Sequence, residues 1–209
     1  MNKIHFSDVI QSLKDKNAWV NDKRKDNNHL ASIAICGFKY RYESDNNVEI
    51  PFSMKFILGK AFENSLYYTI SRLDNSYIHN GLVRINYFDN EIVGSMDVVS
   101  HKYKHIIEIK TIKAEGFDDI YLRQLKAYMI NTYLETGEAY TGAVWIFNIL
   151  KDEIKELEVE ELSGDDIAEF VTNRFAYFDN MYYDGIENST CRFCKNIKCP
   201  ANPKGMVQQ

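Results

Sequence analysis

An α/β domain with a central mixed β-sheet flanked by helices is the fold that this 209-residue sequence predicts. Three observations carry the expectation. Apolar residues recur at three- and four-residue steps over 53–74, the period of a long helix packed on one side. Three strand-like runs follow in close succession, separated by turn residues, as in a meander. A second helical stretch over 117–135 then leads into another strand over 139–150, so helices and strands share one chain without separating into blocks.

In chain order, residues 5–17 read as a short helix with Ser7 as its N-cap, and 17–28 as a polar loop. The apolar run 31–36 reads as either a short helix or a strand, and 41–47 as a polar stretch. Helix 53–74 places Met54, Ile57, Leu58, Ala61, Phe62, Ser65, Leu66, Thr69 and Leu73 on one stripe, with Glu63 at its edge near Gly59 and Ile70. Strands are expected over 82–88, 91–100 and 103–112, with Asp89-Asn90 and Ser100-His101-Lys102 as the turns. Another strand is expected over 154–159, and Ser163-Gly164-Asp165-Asp166 opens a last helix reaching the 170–183 region. After Asp184-Gly185 the chain changes to a cysteine-bearing, proline-containing tail. The expected organisation is a single domain over 1–209, with a core at about 53–160, an N-terminal flank over 1–52 and a tail over 185–209.

Hydrophobic residues make up 45% and charged residues 26%, the balance of a globular protein large enough to form a core without disulfide staples. No run approaches the roughly 20 apolar residues of a membrane span. The first residues lack the apolar segment of a signal peptide. The expected compartment is therefore the cytoplasm, or the host cytoplasm for a viral source. A net charge of -5 argues against a broadly basic nucleic-acid-binding surface, yet it leaves room for a local basic groove.

The chemistry concentrates in the second and third strands. Ile107-Glu108-Ile109-Lys110 projects Glu108 and Lys110 to one face, because strand side chains alternate. Asp97 lies among apolar neighbours in the preceding strand, and a short corner brings it beside Glu108. Two converging carboxylates make a hard oxygen site suited to Mg²⁺ or Mn²⁺, and the backbone carbonyl of Ile109 is a natural further ligand. Lys110 adds positive charge where a phosphate and a water would meet. In the following helix, Gln124 and Tyr128 stand four apart on one face. A lone Glu-x-Lys on a strand is ordinarily a solvated ion pair; the ordered company it keeps here is what sets it apart.

That order resembles the RecB-like branch of the PD-(D/E)XK nucleases, which reads Gly-x-x-x-His/Glu, Gly-x-x-Asp, Glu-x-Lys, Gln-x-x-x-Tyr. The matching residues are Gly59 and Glu63, Gly94 and Asp97, Glu108 and Lys110, and Gln124 and Tyr128. Where the branch often has His, this chain has Glu63. With the cysteines, the resemblance narrows to the CRISPR-associated iron–sulfur RecB-like exonucleases and their viral relatives, and extends from about Cys36 to Cys199. It implies a restriction-endonuclease-like core and metal-dependent hydrolysis of phosphodiester bonds in DNA, single-stranded DNA preferred. It further implies Glu63, Asp97 and Glu108 as metal ligands, Lys110 as the group assisting water, and Gln124 and Tyr128 orienting the phosphate backbone. Tyr121 and Tyr128 are the aromatic residues placed to stack on bases.

Cys36 stands alone, whereas Cys191, Cys194 and Cys199 form a Cys-x2-Cys-x4-Cys tail followed by Pro200. All four fit one tetrahedral thiolate site, which suits either a 4Fe–4S cluster or Zn²⁺. A zinc ribbon usually brings two local pairs; the split of one and three is that of the iron–sulfur relatives and implies a cluster joining the two ends of the chain. Arg192, Phe193, Lys195 and Lys198 surround it and could touch nucleic acid. A different reading is a catalytically weak nucleic-acid-binding adaptor with a structural iron–sulfur or zinc site. Exo- against endonuclease action, the pathway (CRISPR adaptation, viral replication or repair), homo-oligomers and protein partners stay open at the level of sequence.

Overall fold

The computed structural model describes residues 11, 28–46, 48, 54–87, 90–112, 118–175, 189–197, 199 and 201–202. The loop expected at 17–28, apart from Asn28, the final helix beyond Phe175 and, apart from a helical Gln11, the helix expected at 5–17 lie outside them. The elements are β1 (Asn28–His29), α1 (Leu30–Asp45), α2 (Met54–Leu73), β2 (Ile78–Tyr87), β3 (Asn90–Ser100), β4 (His105–Ile112), α3 (Asp118–Thr136), β5 (Thr141–Asn148), β6 (Glu153–Val159) and α4 (Gly164–Phe175). A short 3-10 turn, Cys191–Phe193, follows.

The six strands form one mixed sheet in the order β1-β3-β4-β5-β6, with β2 also on β3. The meander is real: β2–β3 and β3–β4 are antiparallel. Strand β5 returns parallel to β4 across helix α3, and β6 closes antiparallel to β5. The parallel return needs a crossover, and α3 supplies it. Helices cover both faces. On one, Leu30, Ile33 and Ala34 of α1 and Leu125, Tyr128 and Met129 of α3 pack with Ile92, Met96, Val99, Ile106 and Val144, and α4 adds Phe170 and Val171. On the other, Leu66, Tyr67 and Ile70 of α2 cover Val98, Ile107 and Ile109. At the start of α4, Ser163 Oγ accepts the Asp166 N–H while the Asp166 carboxylate accepts the Ser163 N–H, a reciprocal cap.

One open reading is resolved and one expectation is corrected. Of the two alternatives for 31–36 the structure takes the helix, and α1 continues through the polar stretch to Asp45 after a break at Cys36, whose φ of -167° and ψ of 104° are extended. The broken residue caps the second half, since the Lys39 N–H points at its sulfur (3.4 Å). The stripe on α2 is also rotated. Leu58 and Leu73 are 63% and 84% exposed, and Ala61, Ser65 and Thr69 face solvent. The inward side instead carries Phe62, Glu63, Leu66, Tyr67 and Ile70, so Glu63 is in the packed face, 8% exposed, rather than at its edge. Aliphatic counting misled because the face that meets the sheet uses aromatic and charged residues. No helix among the described residues is long and apolar enough to cross a membrane.

Candidate active site

Strands β3 and β4 pair only through Val98–Ile107, Val99–Ile106 and Ser100–His105. The next position, Asp97, has no backbone partner on β4, and the β2 ladder lapses there too: His79–Val98 and Gly81–Met96 pair while Asn80 between them does not. Asn80 has a φ of 52°, a left-handed conformation that asparagine tolerates. Across this irregularity the alternation of β3 slips, with Met96 and Val99 in one core cluster and Val98 in the other. The side chain of Asp97 takes over from the ladder, its Oδ2 accepting the Ile109 N–H at 2.9 Å.

Glu108 lies 1% exposed in the middle of β4. Lys110 donates to its Oε1, and its Oε2 is buried with no hydrogen-bond partner. Burial raises the pKa of Glu108 to about 8; Lys110 pulls against it and outweighs the repulsion from Asp97 and Glu63, but does not cancel the burial. Asp97 is likewise raised, first by burial and then by Glu63, against the pull of Lys110 and Lys60. For Lys110, burial would lower the pKa, but the carboxylates of Glu108 and Asp97 outweigh it and the ammonium is held. Glu63 and Lys110 thus both act electrostatically on Asp97 and on Glu108.

The glycines of the motif have steric reasons. A Cβ on Gly59 would stand 3.0 Å from Thr111 Oγ1 of β4, so the glycine lets α2 approach the strand one turn before Glu63. A Cβ on Gly94 would meet Leu30, Val83 and the Tyr128 ring, each at 3.0 Å. Gln124 Nε2 donates to the Tyr128 hydroxyl at 2.9 Å. Tyr128 is a core residue, however, 3% exposed, and its ring is not available to stack on bases. Tyr121 is half-buried, with its ring centroid 5.7 Å from Lys110 Nζ.

No three His, Cys, Asp or Glu side chains among the described residues stand as a ready metal cage. Lys110 on Glu108 and Lys60 on Glu63 take up oxygens that a metal would share. The donor set nonetheless fits a hard divalent cation, because a buried carboxylate oxygen without a partner and two desolvated acids with raised pKa values are what such an ion would satisfy.

No protein-family model and no curated protein matches the chain. Solved structures do. The crystal structure of SSO0001 aligns with a TM-score of 0.66 at 22% identity, over 95% of this chain and 99% of that one. An alkaline exonuclease from Laribacter hongkongensis (LHK-Exo) gives 0.55 at 14% identity, over 76% of this chain and 89% of that one. A protein from Eubacterium rectale assigned as an exonuclease gives 0.52 at 10% identity, over 87% and 85%. The chain shares its fold with these solved structures, two of which are exonucleases by name.

Among the described residues no three cysteines stand as a ready metal-holding group, but the four act on one another at Cys199. The Cys199 thiol is raised in pKa, chiefly by burial, and the charges of Cys36, Cys194 and Cys191 all act on it. None of the four is in a disulfide. Asn202 Nδ2 donates to the carbonyls of Cys194 (3.2 Å) and Asn196 (2.8 Å), and Ser189 of the tail donates to Asp119 of α3. Four sulfurs and no oxygen or imidazole donor in the set fit a soft metal centre. Sequence reasoning missed two residues at the carboxylate site. Lys60 and His79 both reach Glu63 Oε1, the latter at 2.9 Å. Lys60 stands three residues before Glu63, a helical neighbour and a readable signal; His79, on a strand called too short, carried none.

Proposed function

We propose that this protein is a metal-dependent nuclease that hydrolyses phosphodiester bonds in DNA, with single-stranded DNA preferred. The observation that carries the reading is the buried Asp97–Glu108–Lys110 grouping, at the point where β3 and β4 part and Glu108 Oε2 lacks a partner. Glu63, Asp97, Glu108 and the Ile109 carbonyl are the residues that would hold Mg²⁺ or Mn²⁺. Such an ion polarises a phosphate and lowers the pKa of a bound water. Lys110, kept protonated by the two carboxylates, orients the attacking water and stabilises negative charge growing on the phosphate. Gln124, tied to the Tyr128 hydroxyl, orients the phosphate backbone, and Tyr121 beside Lys110 is the aromatic side chain open to a base.

Cys36, Cys191, Cys194 and Cys199 would hold a 4Fe–4S cluster with a structural role, since metal binding that joins position 36 to the tail is also folding free energy. DNA is the partner in this reading, with recombination or CRISPR proteins, or further copies of the chain, as associates. Incubation of labelled single- and double-stranded DNA with the protein and Mn²⁺, Mg²⁺ or EDTA tests it. Metal-dependent cutting that is faster on single strands supports the reading; a folded protein that binds DNA and cuts neither substrate with either metal contradicts it.

A further inference from the structure

Glu63 is held by more than its helix. Lys60 and His79 Nε2 both bind its Oε1. Lys60 Nζ also donates to Asn80 Oδ1 at 3.0 Å, and Asn80 Nδ2 faces His79 Nδ1 at 3.3 Å. An ammonium has only donors, so it fixes the oxygen side of the Asn80 amide and turns the NH2 toward the imidazole. His79 Nδ1 then accepts, its proton resides on Nε2, and Nε2–H donates to Glu63. Four side chains close a ring: Lys60, Asn80, His79, Glu63. The imidazole plane is fixed separately, stacked on Tyr67 of α2 at 4.6 Å and 17°. The ring exists because Asn80 adopts a positive φ at the gap in the β2–β3 ladder, beside Asp97.

We infer that His79 and Asn80 are positioning residues for Glu63: they pin Oε1 and present Oε2 to a divalent cation shared with Asp97 and Glu108. The inference rests on the nuclease reading above, in which Glu63 is a metal ligand. Glu63 stands where related motifs often carry His. A carboxylate there has a rotatable end that an imidazole lacks, and the ring removes that freedom. Groups that orient a ligand in this way typically alter metal affinity by about 10- to 100-fold.

The experiment measures Mn²⁺ binding by electron paramagnetic resonance for wild type, Glu63→Ala, His79→Phe and His79→Gln, and the His79 ring ¹⁵N shifts of the metal-free protein. Phenylalanine keeps the stack on Tyr67 and loses the hydrogen bond; glutamine keeps a donor. The expected result is binding about ten-fold weaker or more in His79→Phe, partial recovery in His79→Gln, and an Nε2–H tautomer in the wild type. Wild-type affinity in His79→Phe, with Glu63→Ala weakened, would overturn the inference and leave the nuclease reading intact. An Nδ1–H tautomer, or a directly coordinated ¹⁴N that disappears in His79→Phe, would also overturn it. Wild-type affinity in Glu63→Ala would overturn it by removing Glu63 from the metal ligands altogether.

Discussion

The carboxylate of Asp97 on β3 accepts the backbone N–H of Ile109 on β4 at 2.9 Å, just beyond the last paired residues of the two strands. One side chain therefore ends a ladder and opens a site. Asp97→Asn keeps an acceptor for that N–H, so folding is expected to survive while DNA cleavage falls by about 100-fold or more, as for loss of a group oriented at a metal. Asp97→Ala should lose the same activity and about 1–3 kcal/mol of stability as well, because a buried donor is left unpaired. Cleavage rates beside urea unfolding of both variants separate the two effects.

Glu108 makes the metal-free protein sensitive to pH. Its folded pKa of about 8 lies above the ordinary carboxyl value, so folded protein binds more protons than unfolded between those values. The contribution of Glu108 to stability is thus full at acid pH and falls as the pH rises from about 4.5 to about 8. Glu108→Gln should flatten that fall and unfold later than wild type at pH 8, while abolishing cleavage. Thermal unfolding in EDTA across the pH range reads the slope, and added Mn²⁺ should raise the wild-type midpoint but not that of the variant.

Gly94 is bounded at 3.0 Å by Leu30, Val83 and Tyr128, three side chains from three elements. Gly94→Ala should cost about 1–3 kcal/mol, the range for overpacking a filled core. The displaced Tyr128 ring would also carry its bond to Gln124 with it, so activity measured well below the melting temperature should drop too.

Cys36 caps the second half of α1 through the Lys39 N–H and acts electrostatically on Cys199 of the tail. Cys36→Ser preserves a capping oxygen but removes a soft ligand. The variant is expected to lose bound iron and absorbance near roughly 400 nm, the region typical of such clusters, with a lowered melting temperature. A colourless wild type containing zinc would replace the cluster assignment.

Much of this was legible in the residues. The strands around Asp97 and Glu108 follow from alternation and turn chemistry, and the Gly94–Asp97 and Glu108–Lys110 spacings place their side chains together. Helix α2 was found with nearly its observed limits, yet its inward face was not, because Glu63 is buried by partners, Lys60 and His79, that lie outside any apolar pattern. The Cys36 break was equally hidden: a helix interrupted by one extended residue looks in sequence like a short apolar run. Tyr128 matched its motif, but its ring lies in the core and only its hydroxyl meets Gln124.

The most direct measurement compares cleavage of labelled single-stranded DNA by wild type and Glu108→Ala, each with Mn²⁺ and with EDTA. The account predicts Mn²⁺-dependent cutting by the wild type, none in EDTA, and none by a folded Glu108→Ala that still binds DNA. Equal cutting by both proteins would remove Glu108, and with it the Asp97–Glu108–Lys110 site, from the chemistry.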